Sequence, residues 1–177
     1  MNCMKTTIVI VAIVAIAGAL YIGTRPDSFR IERSAQIGAP PAAVFPLVSD
    51  FHQWAAWSPY EKLDPNMKKT FEGPASGPGA AYSWDGNSKA GAGRMTVLES
   101  KPGELLSIKL ELLRPFAATN VATFTFTPSG AGTRVTWSME GKNSLMGKAL
   151  SPFMDGMVGG DFEKGLANLD AAVRARP

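Results

Sequence analysis

The last apolar run constrains this chain more than any other stretch. Phe153, Met154, Met157, Val158, Phe162, Leu166, Leu169 and Val173 recur at steps of three and four, the spacing of one stripe along a helix. Asp155, Glu163, Lys164, Asp170 and Arg174 fall mostly on the other side. Ser151 suits the cap, and Pro152 the first helical position, where its missing N–H costs nothing. A helix over 151–173 is therefore predicted. A long amphipathic helix at a chain end needs a surface to lie on. Its stripe is either plain core or the roof of a cavity. The methionines and phenylalanines fit the second reading, since an unbranched thioether adapts to irregular apolar guests. Gly159-Gly160 falls in the middle of this helix, where each glycine costs about 1 kcal/mol relative to alanine. Close packing against the sheet explains the pair, and so does a hinge.

The preceding segment supplies the surface. Phe29, Ile31, Ala35 and Ile37 alternate with Arg30, Glu32, Ser34 and Gln36, as in a half-buried strand. Arg33 breaks the pattern by falling on the apolar face; it reads as a strand end or bulge, or as a polar group aimed into a cavity. Gly38-Ala39-Pro40-Pro41 leads into a short helix with Ala43, Val44, Leu47 and Val48 on one face, and Ser49-Asp50 caps a second, Phe51 to Trp57. Trp54 and Trp57 share a face. They either dock this helical pair on the sheet or rim a pocket mouth. Strands follow over 69–73, 80–84, 93–100, 106–113, 121–127 and 133–140, divided by Gly- and Pro-rich turns such as Asp85-Gly86-Asn87 and Lys101-Pro102-Gly103.

Clean alternation means that one face is covered and the other meets water, and short turns mean antiparallel neighbours. The fold class is thus α+β: a curved antiparallel sheet of about seven strands around the C-terminal helix. The inward positions give the candidate cavity lining, Tyr82, Trp84, Met95, Leu110, Phe124, Trp137 and Met139 from the sheet, with Met154, Met157 and Phe162 from the helix. Trp54 and Trp57 are the candidate rim. Parity makes Arg33 and Glu99 the candidate polar groups inside.

Ahead of this domain, Ile8 to Ile22 carries no charged or strongly polar residue. A helix from Thr6 to Thr24 would be about 28 Å long, close to a hydrocarbon core of roughly 30 Å. Residues 1–5 then read as a cytoplasmic terminus, 6–24 as a transmembrane anchor, 25–28 as a linker and 29–175 as an outward-facing domain. The competing reading is a cleaved signal peptide, with Ala15-Ile16-Ala17 or Ala17-Gly18-Ala19 as the site and a secreted or periplasmic product. A buried core helix is the third reading.

The formal net charge of +3 is scattered, and only Lys68 and Lys69 adjoin, so nucleic acid is excluded as a partner. Cys3 is the sole cysteine and precedes the domain. His52 is the sole histidine, without Cys, Asp or Glu at ligand spacing, so no metal site is expected. No Gly-x-Ser-x-Gly and no phosphate or dinucleotide loop appears. No catalytic residue is assigned and no cofactor is expected.

The order of elements is strand, two short helices, a meander of strands and a long terminal helix. Local wording matches as well: Phe51-His-Gln-Trp-Ala-Ala-Trp-Ser-Pro-Tyr60, Asp64-Pro-Asn-Met67, Gly91-Ala-Gly-Arg-Met95, Gly132-Thr-Arg-Val-Thr-Trp137 and Met157-Val-Gly-Gly-Asp-Phe-Glu-Lys-Gly-Leu166. From Phe29 to Arg174 the chain resembles the SRPBCC superfamily, and within it the bacterial polyketide cyclase/dehydrase-like branch, relatives of START and Bet v 1 domains. The resemblance implies the helix-grip fold and a deep apolar cavity that holds lipids, sterols, polyketides or other hydrophobic molecules. It brings no fixed catalytic set. Three functions stay open: a binding protein for a small hydrophobic ligand, a cyclase or dehydratase working in the same cavity, and a ligand-free interaction domain.

Overall fold

Seven of the alternating segments pair into one antiparallel sheet in the computed structural model, which describes residues 2–176 and leaves aside the side chains of 2–5, 9, 11, 12, 14, 15 and 19. The strands are β1 (Ser28–Ile37), β2 (Lys68–Glu72), β3 (Ala81–Asp85), β4 (Ala92–Lys101), β5 (Leu105–Arg114), β6 (Ala118–Ser129) and β7 (Gly132–Lys142). Their spatial order is β1-β7-β6-β5-β4-β3-β2. The first and last strands are therefore neighbours, and β1 and β2 are the edges. All five residues of β2 are exposed.

The helices are α1 (Asn2–Gly23), α2 (Pro41–Ser49) and α3 (Leu145–Arg174), with short 3-10 turns at Phe51–Ala56 and Pro59–Lys62. The register stacks the inward side chains into rows across the sheet. One row runs Arg33, Trp137, Phe124, Leu106; the next Ile31, Met139, Ala122, Ile108, Val97; the next Phe29, Gly141, Asn120, Leu110, Met95, Tyr82, Phe71. The end of the sheet where β1 stops is closed by α2, the first 3-10 turn and the second half of α3. At the other end lie the start of β1, the start of α3 and the β5–β6 hairpin tip.

Helix α3 begins earlier than its sequence signals predict. Ser144, not Ser151, is the cap, and its hydroxyl accepts the Gly147 N–H at 3.1 Å. Pro152 then lies inside the helix. The apolar stripe also splits. Phe162 is 2 % exposed, with Leu166, Leu169 and Val173 buried beside it, whereas Phe153 and Met157 are 65 % and 71 % exposed. At about 100° per residue, Phe153 and Met157 come out near half a turn from Phe162. Met154 and Val158 stay on the inward side and pack against the core.

The N-terminal segment is corrected. It forms a helix, but among the described residues no helix is long and apolar enough to cross a membrane. In the fold α1 touches α3. The single-pass anchor over 6–24 and the outward placement of the domain therefore fall. The reading of residues 1–5 as a cytoplasmic terminus rests on side chains outside those described.

Candidate functional site

The concave face of the sheet has two unlike halves. Toward the closed end it is filled by rings. Trp137 stacks on Phe162 with centroids 4.0 Å apart and planes 10° from parallel, and on Phe124 at 4.9 Å. Trp57 meets Trp137 edge-on at 5.6 Å, and Trp54 lies 4.9 Å from Trp57. Both tryptophans are pinned through their indole N–H groups, Trp54 to the Val48 carbonyl at 2.8 Å and Trp57 to the Leu47 carbonyl at 2.9 Å. These are the otherwise unpaired carbonyls at the end of α2. Both rings are buried members of the core. At Gly165 of α3 an added Cβ would stand 2.7 Å from Trp137 Cζ3, so only glycine lets the helix settle on that ring. The Trp137 indole N–H is itself buried without an acceptor among the described residues.

Toward the other end the same face is incompletely covered. Phe29, Trp84, Leu110, Leu112 and Met139 are half-buried. What α3 offers them is Met154 and Val158, also half-buried. Trp84 lies flat over Gly93, where a Cβ would be 2.5 Å from its ring. This partly covered apolar stretch, between the middle strands and the first half of α3, is a candidate trough.

Polar groups border this trough, and most are committed to each other. Arg33 crosses from β1 to α3. Its Nη2 donates to Asp155 Oδ2 at 2.9 Å and its Nε to Glu163 Oε1 at 2.7 Å. Asp155 first and Glu163 second hold the guanidinium even more firmly protonated than usual, and Arg33 in turn draws the Asp155 carboxyl below its ordinary range. The guanidinium lies over Gly159, where a Cβ would be 2.2 Å from Nη2. That close approach accounts for the mid-helix glycine. Glu61, with a side chain 7 % exposed, accepts the Tyr82 hydroxyl at 2.7 Å and pairs with Lys69. Burial, and then the Glu61 carboxylate, push the Tyr82 phenol up. Burial likewise raises the phenol of Tyr60, with the Asp161 charge adding to it.

The structure thus distributes the candidate lining. Phe124, Trp137 and Phe162 are in the ring stack, Tyr82 and Met95 are buried elsewhere on the same face, Trp84, Leu110, Met139 and Met154 are half-buried, and Met157 is exposed on the far side of α3. Of the two candidate polar groups, Arg33 is the strand-to-helix clamp. Glu99 points to solvent and pairs with Lys101 at 2.7 Å, because a register shift between Val97 and Glu99 breaks the parity that aimed it inward.

Sequence reasoning missed Glu61, which sits in an irregular turn with no periodicity to read. It also missed Asn120, whose inward parity with Ala122 and Phe124 was available once β6 is extended to Ala118. His52 has a partner after all. Its Nδ1 is 2.8 Å from Asp50 Oδ1, and its ring stacks on Phe71 at 4.0 Å. It borders a separate surface cavity of about 240 Å³ with Phe51, Glu72 and Ala80. Among the described residues no three His, Cys, Asp or Glu side chains cluster closely enough to hold a metal ion.

Comparison with known proteins gives the same fold. Protein MLL2253 from Mesorhizobium loti superimposes with a TM-score of 0.63 at 20 % identity, over 84 % of this chain and 100 % of its own. TTHA0849 from Thermus thermophilus gives 0.60 at 19 % identity, over 83 % and 98 %. DynU16, a protein of the dynemicin biosynthetic locus, gives 0.60 at 14 % identity, over 85 % of this chain and 48 % of its own. No curated protein matches the chain in sequence. The family model described as polyketide cyclase / dehydrase and lipid transport matches residues 28–174, so the helix-grip domain of this chain belongs to that family.

Proposed function

We propose that the trough between the middle strands and the first half of α3 binds a small hydrophobic molecule. One observation carries this reading. On the inward face of one sheet, Phe124, Ile108 and Val135 are sealed, while Leu110, Leu112 and Met139 stay half-buried. Apolar side chains left partly wet in a concave place are the usual setting for an apolar ligand. Covering about 300 Å² of apolar surface would contribute on the order of 7 kcal/mol before association costs. The name of the matching family, with its reference to lipid transport, supports the same class of ligand.

Fluorescence titration with N-phenyl-1-naphthylamine tests it. The expected result is saturable uptake at one site, weakened about ten-fold or more when Leu110→Trp and Met139→Trp fill the trough. No saturable uptake, or equal uptake by the filled variants, overturns the reading.

A second reading, a cyclase or dehydratase acting in the same trough, is favoured by the Glu61–Tyr82 pair. A buried carboxylate held against a phenol at the edge of an apolar site has the makings of an acid–base couple. Turnover of an oxygenated apolar substrate that disappears in both Glu61→Gln and Tyr82→Phe would establish it.

A further inference from the structure

A polar residue stands on the apolar face of the sheet with no described group to bond to. Asn120 of β6 is 5 % exposed. The register sets it between Gly141 of β7 and Leu110 of β5, in the row that lines the trough. Its side-chain amide makes no hydrogen bond to any described residue. A primary amide offers two N–H donors and a carbonyl acceptor, and burying most of it without a protein partner is costly.

The neighbouring strand makes room for this amide. A Cβ at Gly141 would stand 2.0 Å from Asn120 Oδ1, 3.0 Å from its Cγ and 3.1 Å from Phe29 Cε1. The amide therefore lies flush over a glycine, and any other residue there would displace it. Glycine inside a strand is itself a weak choice, and it marks a close approach. Two adjacent strands thus give up stability to hold one amide at one point of an apolar wall.

We propose that Asn120 is the polar anchor of the trough, and that its ligand is a neutral apolar molecule with a hydroxyl or carbonyl group. This rests on the reading of the trough as a ligand site. The choice of a neutral group follows from the charges nearby. Arg33 is taken by Asp155 and Glu163, and Lys69 by Glu61. The amide can donate to a carbonyl or both donate to and accept from a hydroxyl, but it brings no charge to balance a carboxylate or phosphate. The Trp137 indole N–H, also unpaired, is sealed inside the ring stack and offers a donor only.

Displacement of N-phenyl-1-naphthylamine by three probes of one skeleton tests the proposal: 2-acetylnaphthalene, 2-ethylnaphthalene and 2-naphthoate. The unaltered protein should bind the ketone about ten-fold more tightly than the hydrocarbon, with the carboxylate weakest. In Asn120→Leu the ketone's advantage should vanish while the hydrocarbon binds as before. Asn120→Asp, close in shape, should also lose the preference and keep the fold testable. Equal binding of ketone and hydrocarbon by the unaltered protein, or a preference that persists in Asn120→Leu, overturns the anchor alone. Failure of every naphthalene probe to bind overturns the trough as well.

Discussion

The two halves of α3 carry comparable apolar content and meet opposite fates. From Gly159 on, Phe162, Leu166, Leu169 and Val173 are buried. Before it, Leu145, Met146, Leu150, Phe153 and Met157 are exposed, and the inward Met154 and Val158 are only half-covered. Composition does not separate the halves; what lies opposite them does. The second half faces a stack of rings braced by α2 and its two tryptophans. The first half is tied down by Asp155 on Arg33 and by Lys148 on Asp27. One helix is thus fixed by packing at one end and by ion pairs near the other, and the loosely covered end borders the proposed trough.

The largest effect that would break this comparison is in the ring stack. Trp137→Ala should cost about 3–5 kcal/mol in chemical unfolding, because a large fully buried ring is lost. Met139→Ala, in the half-covered part of the same strand, should cost roughly 1 kcal/mol. Equal losses would mean that the two halves are packed alike. A sharper contrast comes from two glycines of α3. Gly165→Ala should destabilise by about 1–3 kcal/mol, since its methyl would press on Trp137. Gly156→Ala should stabilise by about 0.5–1 kcal/mol, because nothing lies within 4 Å of the added Cβ and alanine is the better helix former. Opposite signs in thermal melts are expected; like signs would refute the split.

The smallest effect concerns pH. Asp170 accepts the Gly38 backbone N–H at 2.8 Å and is paired with Arg174. The Gly38 bond first, and then Arg174, hold its carboxyl below the ordinary value, against the opposing effect of burial. A depressed native value means that this contribution is complete above the unfolded value of about 3.9 and fades as pH falls through the native one. Melting temperatures recorded from about pH 5 downward should therefore fall less steeply in Asp170→Asn. An unchanged slope would show that the contact adds nothing to the anchoring of the second half.

Much of this fold was legible in residue order. Period-two alternation located six of the seven strands, turn residues set off the short β2, and the period near 3.6 located α3 over 151–173 but not its first turns. Alternation reports which face a side chain takes, however, and not how deeply that face is covered. It could not tell Phe124 from Leu110, inward positions of the same pattern that differ only in what packs above. It failed at Glu99, where one irregular step in β4 turns the side chain out. It failed at Phe153 and Met157 because steps of three and four, continued over many turns, drift around the helix. Glu61 and the Asp50–His52 pair were invisible for another reason. Their partners are set by short turns, whose geometry carries no repeating signal.

The open sheet leaves β2 as a free margin, and such margins can recruit strands from other copies. β2 is only five residues long and begins with Lys68 and Lys69. Two molecules meeting margin to margin in parallel would bring their Lys68 groups together, and in either direction five residues allow only a short ladder. Growth of the sheet by one β2 joining another is therefore disfavoured even when the chain is concentrated.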